Sequence, residues 1–343
     1  MTGESIFRAL PCDCCGSSRW EYKFSEGGFD LGRCAECGLH YIAQMPTQEG
    51  RMMEMEHRRF GANRRVIDAG LQRDEETRYR GRFQHYVELA RRFAPPGKWL
   101  DVGCGTGTLI GLVEELDIDI EGIELTPDRR EAARRLTGAT IYDRPIEALD
   151  LAEESFAVVT LTNVFSHLVS PARTFSHIRR LLRMGGVLLL ATSEIGPGVA
   201  RHHDYSWYLG DHLYFLGDHT IERYADNLGF QLVYREKKWA PDLLYRRQRF
   251  LTKGGSALRN VIKGACVYTP GVLPLLRLYM LKVRNRKNPH YVSTLLLKKV
   301  PVRQPGQIRE PARVKDGPVA GRIIETAGRA PKPDDAVRSK PNS

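Results

Sequence analysis

Long apolar runs are missing from this chain of 343 residues, none approaching the ~18 uncharged apolar residues that a membrane-spanning helix requires. The opening, Met1-Thr-Gly-Glu-Ser5, has neither a basic n-region nor an apolar h-region, so the expectation is a cytoplasmic protein. Cysteine is nearly absent after Cys37, where only Cys104 and Cys266 occur. That excludes a disulfide framework spread over the fold, and the five earlier cysteines suggest metal ligation in a reducing compartment. Acid is nearly missing from one stretch: between Pro241 and Asn288, eleven Lys or Arg stand against Asp242 alone. This places +10 of the formal net charge of +11 in that segment.

What is present begins with those cysteines. Cys12-Asp-Cys14-Cys15-Gly16 and Cys34-Ala-Glu-Cys37-Gly38 form two C-x-x-C-G units with 18 residues between them. Thiolates so spaced converge on one ion while the glycine permits the tight turn, and Cys12, Cys15, Cys34 and Cys37 are the expected ligands of a structural zinc. Cys14 is the spare thiol, or the replacement for Cys12 if the knuckle slips. Four sulfurs leave no open position, so the ion would hold the fold and do no chemistry. A zinc-ribbon-like segment is expected over residues 1–45 and a helical linker over 46–94. The linker carries Met52, Met53, Met55 and Phe60, and then one helix face formed by Tyr79, Phe83, Tyr86, Val87 and Phe93. That face is expected to pack on a sheet rather than to touch a ligand.

Pro95-Pro96-Gly97 ends the helix and launches Lys98-Trp-Leu-Asp-Val-Gly-Cys-Gly-Thr-Gly-Thr-Leu109. Trp99 to Val102 reads as a buried parallel strand, Gly103, Gly105 and Gly107 as a sharp turn, and Leu109 to Leu116 as a helix. Without a Cβ such a turn adopts φ > 0 and lets a ligand approach the backbone, while free N–H groups of the helix start face the same space. Asp101 sits at the strand end. Glu124 closes the next strand, Ile120 to Glu124, at the separation where nucleotide folds grip ribose hydroxyls. Thr126-Pro127-Asp128 starts a helix to Leu136, and Thr140 to Tyr142 is a third strand. A fourth, Phe156 to Leu161, delivers Asn163-Val-Phe-Ser-His167-Leu168 to the carboxyl edge. A helix from Pro171 to Leu182, the stop Gly185-Gly186 and a fifth strand, Val187 to Ala191, continue an alternation that means a parallel sheet. Thr220 to Leu228 is a further helix and Gly229 to Tyr234 a sixth strand.

The series D-x-G-x-G-x-G, G-I-E-L-T-P, N-V-F-S-H-L and L-L-R-M-G-G-V-L-L-L resembles the class I S-adenosylmethionine-dependent methyltransferases, over about Arg82 to Val300. The resemblance implies an α/β fold, a Rossmann-like seven-stranded methyltransferase sheet over residues 95–300 with its seventh strand, opening at His290, antiparallel. It implies S-adenosylmethionine bound by Asp101, Gly103, Cys104, Gly105, Gly107, Glu124, Leu125 and Asn163. Arg144-Pro145-Ile146-Glu147 stands where many relatives carry G-D-x-E, so no partner of the adenine amino group is named. His167 is expected to order its loop.

Between Ile195 and Phe215 the chain collects His202, His203, Tyr205, Trp207, Tyr208, Asp211, His212, Tyr214 and Phe215, aromatic walls mixed with titratable groups as an acceptor pocket requires. Its D-H-x-Y-F motif looks like that of bacterial sugar and secondary-metabolite methyltransferases. Tyr208-Leu-Gly-Asp211-His212 matches in part the Y-H-E-H motif of zinc-containing sugar C-methyltransferases. The expected reaction is therefore methyl transfer to a sugar, glycan or other small-molecule acceptor, lipid-linked ones included, with His212 as base tuned by Asp211.

Two other readings compete. Zinc ribbons and basic surfaces occur in nucleic-acid binders, which suggests an RNA methyltransferase. Thr162-Asn163-Val164 lacks the N-P-P-Y box of base-nitrogen methylation, however, and the positive charges lie far from the ribbon in sequence, so nucleic acid is the less favoured partner. A non-enzymatic zinc-ribbon scaffold is opposed by the intact Asp101, glycine turn and Glu124. Residues 241–288 form an insertion between strands six and seven, read as a helical, basic amphipathic segment. Its stripe Ala257, Leu258, Val261, Ile262 and Ala265 and its apolar run Leu273 to Leu281 are expected to lie on an anionic membrane surface, which would make the protein peripheral at the inner face of the membrane. The proline-rich tail, 301–343, is expected to be disordered.

Overall fold

The computed structural model describes residues 7–8, 11–43, 45–46, 69–199, 207–239, 290–301 and 315–316. At the N-terminus β1 (Phe7–Arg8) pairs with β5 (Met45–Pro46). Between them a two-glycine turn, Gly27 and Gly28 at φ 62° and 87°, supplies the left-handed conformations of a tight hairpin. It joins β2 (Trp20–Glu26) to β3 (Phe29–Cys34), and β4 (His40–Ile42) adds to β3. All three residues of β4 are buried and their free edge needs a partner. It is supplied from far along the chain by β11 (Tyr214–Phe215), with Tyr214 opposite Tyr41 and Phe215 opposite His40. The division expected at residue 45 thus cuts beside a sheet that holds both sides together.

The larger sheet is built from β6 (Trp99–Val102), β7 (Ile120–Ile123), β8 (Ile141–Tyr142), β9 (Phe156–Thr162), β10 (Leu182–Ile195), β12 (Phe230–Trp239), β13 (His290–Lys299) and β14 (Lys315–Asp316). Their order is β14-β12-β13-β10-β9-β6-β7-β8. The run from β10 to β8 is parallel, and β13 lies antiparallel between β10 and β12. This is the expected Rossmann-like sheet of seven strands. β14 adds a short eighth strand, parallel to β12, from within the stretch expected to be disordered. β10 runs past the expected stop at Ala191 because its polar end is paired across the sheet: Glu194 accepts from Ser293 Oγ at 2.5 Å and from Lys237 Nζ.

Five helices cover the described sheet: α1 (Ala69–Phe93), α2 (Thr108–Glu114), α3 (Pro127–Leu136), α4 (Pro171–Leu181) and α5 (Thr220–Leu228). Alternation along β10 sends Val187, Leu189 and Ala191 into the core shared with α1 and α2, and Leu188 and Leu190 into the core shared with α4, α5 and the ribbon. Ser170 caps α4 by accepting from Arg173 N, and Pro171 occupies the first turn. No helix among the described residues is long and apolar enough to cross a membrane. The basic segment 241–288, the methionine-rich stretch near residue 52 and the His202, His203 and Tyr205 cluster lie outside the described residues.

Candidate active site and four-cysteine centre

The parallel strands end at one cleft of about 740 Å³. Its floor is the glycine turn after β6, where Gly103 N and Cys104 N both donate to Ile123 O, at 2.7 and 3.0 Å. Gly103, Gly105 and Gly107 have φ of 74°, 59° and 87°, which only glycine adopts without strain. A Cβ on Gly103 would lie 2.3 Å from Val164 Cγ2, and one on Gly107 3.1 Å from the α3 backbone, so these two are packing glycines as well. At Gly105 a Cβ meets nothing nearer than Arg129 Nη1 at 3.4 Å, so here the missing side chain leaves open space.

Glu124 is nearly buried, and both carboxylate oxygens are held by backbone: Oε2 accepts from Gly105 N at 3.0 Å and Oε1 from Thr126 N at 2.7 Å. A carboxylate has about four lone-pair sites, so two backbone bonds fix its orientation and leave acceptor capacity toward the cleft. Asp101 is buried beneath it and accepts from Thr160 Oγ1 at 2.6 Å. Burial pushes its carboxyl up to about 7, against the lowering effect of the threonine bond. The Cys104 thiol is likewise driven up by burial and by the two acids. Of the expected cofactor residues, Asp101, Gly103, Cys104, Gly105, Glu124, Leu125 and Asn163 all line the cleft, while Gly107 shapes the turn behind it.

Two walls differ from expectation. On α1, Tyr86 and Val87 are buried against the sheet as expected, but Tyr79 and Phe83, stacked at 5.9 Å, line the cleft. On the far side Asp143 and Glu147 line it from the loop in which no residue had been singled out. Glu147 is engaged by the Thr174 hydroxyl.

Beyond Asn163 the cleft reaches the imidazoles. Asn163 itself is in the left-handed region, φ 57°, its amide bonded to Ala191 O at 2.8 Å. Asp211 and His212, expected as a pair, are joined by His167: one carboxylate oxygen and one nitrogen of each ring lie within 4.8 Å of one another. Asp211 meets His167, with its carbonyl 3.0 Å and its Oδ1 3.7 Å from Nδ1, and these two line the cleft. His212 is held by Trp207 O, 2.9 Å from its Nδ1, and its ring lies 4.8 Å from that of His167. A carbonyl only accepts, so each Nδ1 is protonated and a neutral ring carries its lone pair on Nε2.

The four-cysteine centre is compact. Cys12 and Cys37 sulfurs are 3.4 Å apart, Cys15 and Cys34 3.6 Å, near the roughly 3.8 Å edge of a tetrahedron with zinc–sulfur bonds of about 2.3 Å. The set is Cys12, Cys15, Cys34 and Cys37, while the Cys14 thiol donates to Thr220 O at 3.6 Å. The thiol bond from Cys12 holds Cys37 far below the usual thiol range, while Cys12 is pushed far up by that same bond and by burial. Four sulfurs this close suit a cation that takes the place of their protons.

The ribbon is tied to the cleft by residues that sequence reading passed over. Asp13 accepts from Ser170 Oγ, Ala172 N and Tyr224 Oη at 2.5, 2.8 and 2.7 Å, Asn227 donates to Cys14 O at 2.9 Å, and Thr220 Oγ1 to Cys37 O at 3.1 Å. Only the position of Asp13 inside the first C-x-x-C unit marked it, and that read as filler.

The family described as Methyltransferase domain matches residues 71–235. The chain is similar to a ubiquinone biosynthesis O-methyltransferase of Xanthomonas campestris pv. campestris, 34% identical over 116 residues, which cover 32% of this chain and 48% of that one. It is also similar to a mitochondrial enzyme of the same description from Candida albicans, 28% identical over 191 residues, covering 50% and 51%. The chain thus spans about half the length of the curated relatives it matches. Among solved structures, a Haemonchus contortus N-methyltransferase in complex with phosphomonomethylethanolamine and S-adenosylhomocysteine is 14% identical, with 81% of this chain and 71% of that one covered and a TM-score of 0.48. An Archaeoglobus fulgidus S-adenosylmethionine-dependent methyltransferase is 17% identical, with 72% and 99% covered and a TM-score of 0.44. The family match spans the glycine turn, Glu124 and both imidazoles, on a sheet whose order and antiparallel seventh strand are those expected of a class I S-adenosylmethionine-dependent methyltransferase, so residues 71–235 carry a methyltransferase domain.

Proposed function

We propose that the protein transfers the methyl group of S-adenosylmethionine to a hydroxyl of a small acceptor, a sugar or other small metabolite. The observation that carries this is the continuity of one cleft, with the backbone-oriented Glu124 at one end and His167 with Asp211 at the other. S-adenosylmethionine supplies an electrophilic methyl group on a sulfonium. The ribose hydroxyls would donate to Glu124, and Asp143 is suited to accept from the adenine amino group. Asn163, held in the left-handed region between the two ends, faces the meeting point of donor and acceptor. His167, its Nδ1–H fixed by Asp211, would take the hydroxyl proton at Nε2, with His212 beside it as the alternative base. Displacement at a sulfonium needs little else than alignment in a closed cleft, which the stacked Tyr79 and Phe83 favour. The curated relatives are named O-methyltransferases, in keeping with an oxygen nucleophile. No observation among the described residues favours the RNA or scaffold readings.

We infer further that Cys12, Cys15, Cys34 and Cys37 hold one structural zinc. Elemental analysis of freshly purified protein should give one zinc per chain, and no zinc or iron would remove the inference. The methyl-transfer reading is tested by S-adenosylhomocysteine release from a panel of nucleotide-linked hexoses, simple phenols and catechols. Turnover should fall by about 10²-fold or more in His167→Gln if that ring is the base. Calorimetric binding of the donor with no release from any hydroxyl acceptor would overturn O-methylation.

A further inference from the structure

The turn that bears His212 is held from outside the methyltransferase sheet. Glu26 ends β2, at the mouth of the Gly27-Gly28 hairpin turn, and its two carboxylate oxygens accept from consecutive backbone amides, Tyr208 N at 2.8 Å and Trp207 N at 3.2 Å. Tyr208 has φ 53°, a conformation costly for an aromatic residue. It is kept there by bonds on both sides, since its carbonyl accepts from Asp211 N at 3.0 Å and His212 N at 2.9 Å. Trp207 is buried between Phe24 and Phe215, at ring distances of 5.9 and 5.6 Å, and directs its own carbonyl to His212 Nδ1. Of the four described non-glycine residues at positive φ, Asp117 and Glu154 lie in loops at the other edge of the sheet, while Asn163 and Tyr208 belong to the two segments that form the acceptor end. An unbroken series of bonds therefore runs from a ribbon carboxylate through a strained turn to an imidazole beside the cleft.

We propose that Glu26 is a positioning residue of the acceptor site, and that the ribbon, through its hairpin turn, sets the tautomer and direction of the His212 ring. The functional consequence rests on the methyl-transfer reading above, whereas the geometric one does not. A carboxylate spanning two successive amides holds them parallel. Without it Tyr208 relaxes to negative φ, the Trp207 carbonyl swings off Nδ1, and the ring loses the bond that keeps Nε2 as the basic nitrogen.

The test is nitrogen NMR of the full-length, zinc-loaded protein with labelled histidine, at a pH where the ring is neutral, His212 being assigned by the signal lost in His212→Gln. The wild type should show a protonated Nδ1 and an unprotonated Nε2. In Glu26→Ala the two signals should move toward each other as the tautomers mix, with a smaller shift in Glu26→Gln, which retains one acceptor oxygen. Affinity for S-adenosylhomocysteine should stay within about twofold. On whichever panel acceptor the wild type methylates, kcat should fall by about tenfold with little change in KM, as for an acceptor site whose imidazole pair is misaligned. Tyr208→Gly relieves the strain and leaves the clamp in place, and should keep the wild-type tautomer. If Glu26→Ala sheds its zinc, Glu26→Gln and Tyr208→Gly carry the comparison. An unchanged His212 tautomer in both Glu26 variants overturns the proposal, as does an equal loss in Tyr208→Gly, which would mean general loosening. A wild type that methylates nothing in the panel defeats the methyl-transfer reading alone, because the tautomer still reports on the clamp.

Discussion

Replacing Glu124 by Ala removes a carboxylate that orients the turn and, on the proposed function, receives the ribose, and the two parts can be weighed. Toward the ligand, a charge-assisted hydrogen bond to a ribose hydroxyl contributes about 1.5 to 3 kcal/mol, or roughly 10- to 150-fold in Kd. Toward the protein, Gly105 N and Thr126 N each lose an acceptor, at 3.0 and 2.7 Å, while the turn keeps its bonds from Gly103 N and Cys104 N to Ile123 O. The turn is on the cleft surface, so water can replace those bonds when no ligand is bound. That part therefore costs little in the free protein and adds to the loss on binding. The expected outcome is a Kd for S-adenosylhomocysteine raised at least tenfold with a melting temperature changed by only a few degrees. Glu124→Gln separates the parts. Its amide keeps one acceptor and turns an NH2 toward a backbone N–H, so it should weaken binding nearly as much as Ala although it is the same size. Isothermal calorimetry on both variants is the assay. A Kd within twofold of wild type in Glu124→Ala would refute the assignment of the ribose to this carboxylate.

Three further outcomes follow from the geometry and a fourth from composition. Asp101 has its folded pKa raised to about 7 from an unfolded value near 3.9, so its contribution to stability is fully present below about pH 4 and is lost as pH rises through 7. Asp101→Asn should flatten the pH dependence of urea unfolding in that window, and an unchanged slope would rule the carboxyl out as its source. Gly103→Ala meets both the φ of 74° and Val164 at 2.3 Å and should cost about 2 to 4 kcal/mol in thermal unfolding, whereas Gly105→Ala should lose donor affinity with a smaller effect on stability. Asp13→Ala removes three hydrogen bonds between the ribbon and α4 and α5 and should destabilise by about 3 kcal/mol; for the same reason zinc chelation should disturb the His212 signals as well as the ribbon. On the proposal that residues 241–288, basic in composition, meet an anionic surface, the protein should bind anionic vesicles in flotation, less so in high salt and not at all once the segment is deleted.

The glycine-turn half of the cleft was legible because its residues are near one another in the chain. Gly103, Gly105 and Glu124 are spaced by a strand, a turn and a helix, and local propensity determines where they meet. The acceptor half was legible in composition but not in pairing. Asp211 and His212 are adjacent in sequence, which suggested a couple, but nothing in the sequence showed that His167, 44 residues before Asp211, joins them. Glu26 and Asp13 carried no signal, because their partners are more than 150 residues distant and nothing in a hairpin turn or a cysteine knuckle announces a long-range acceptor. The continuation of β10 was hidden for a related reason: Thr192 and Glu194 look like the end of a buried strand until Ser293 and Lys237 are brought beside them.

Tyr214 lies 173 residues beyond Tyr41, its partner in the ribbon sheet. On a ribosome adding about 5 to 20 residues per second, the β4 edge waits roughly 10 to 35 s for the strand that covers it, with most of the parallel sheet emerging in between. During that interval His40, Tyr41 and Ile42 present an apolar edge open to any other strand, including the same segment of a neighbouring nascent chain. Early capture of a metal by the four cysteines would hold the hairpin and shorten the exposed chain, but only arrival of Phe215 seals the edge. The yield of folded protein should therefore depend on metal supply during synthesis more steeply than does the stability of the finished molecule, and slowing translation at low zinc should increase aggregation while the same chelation after folding should not.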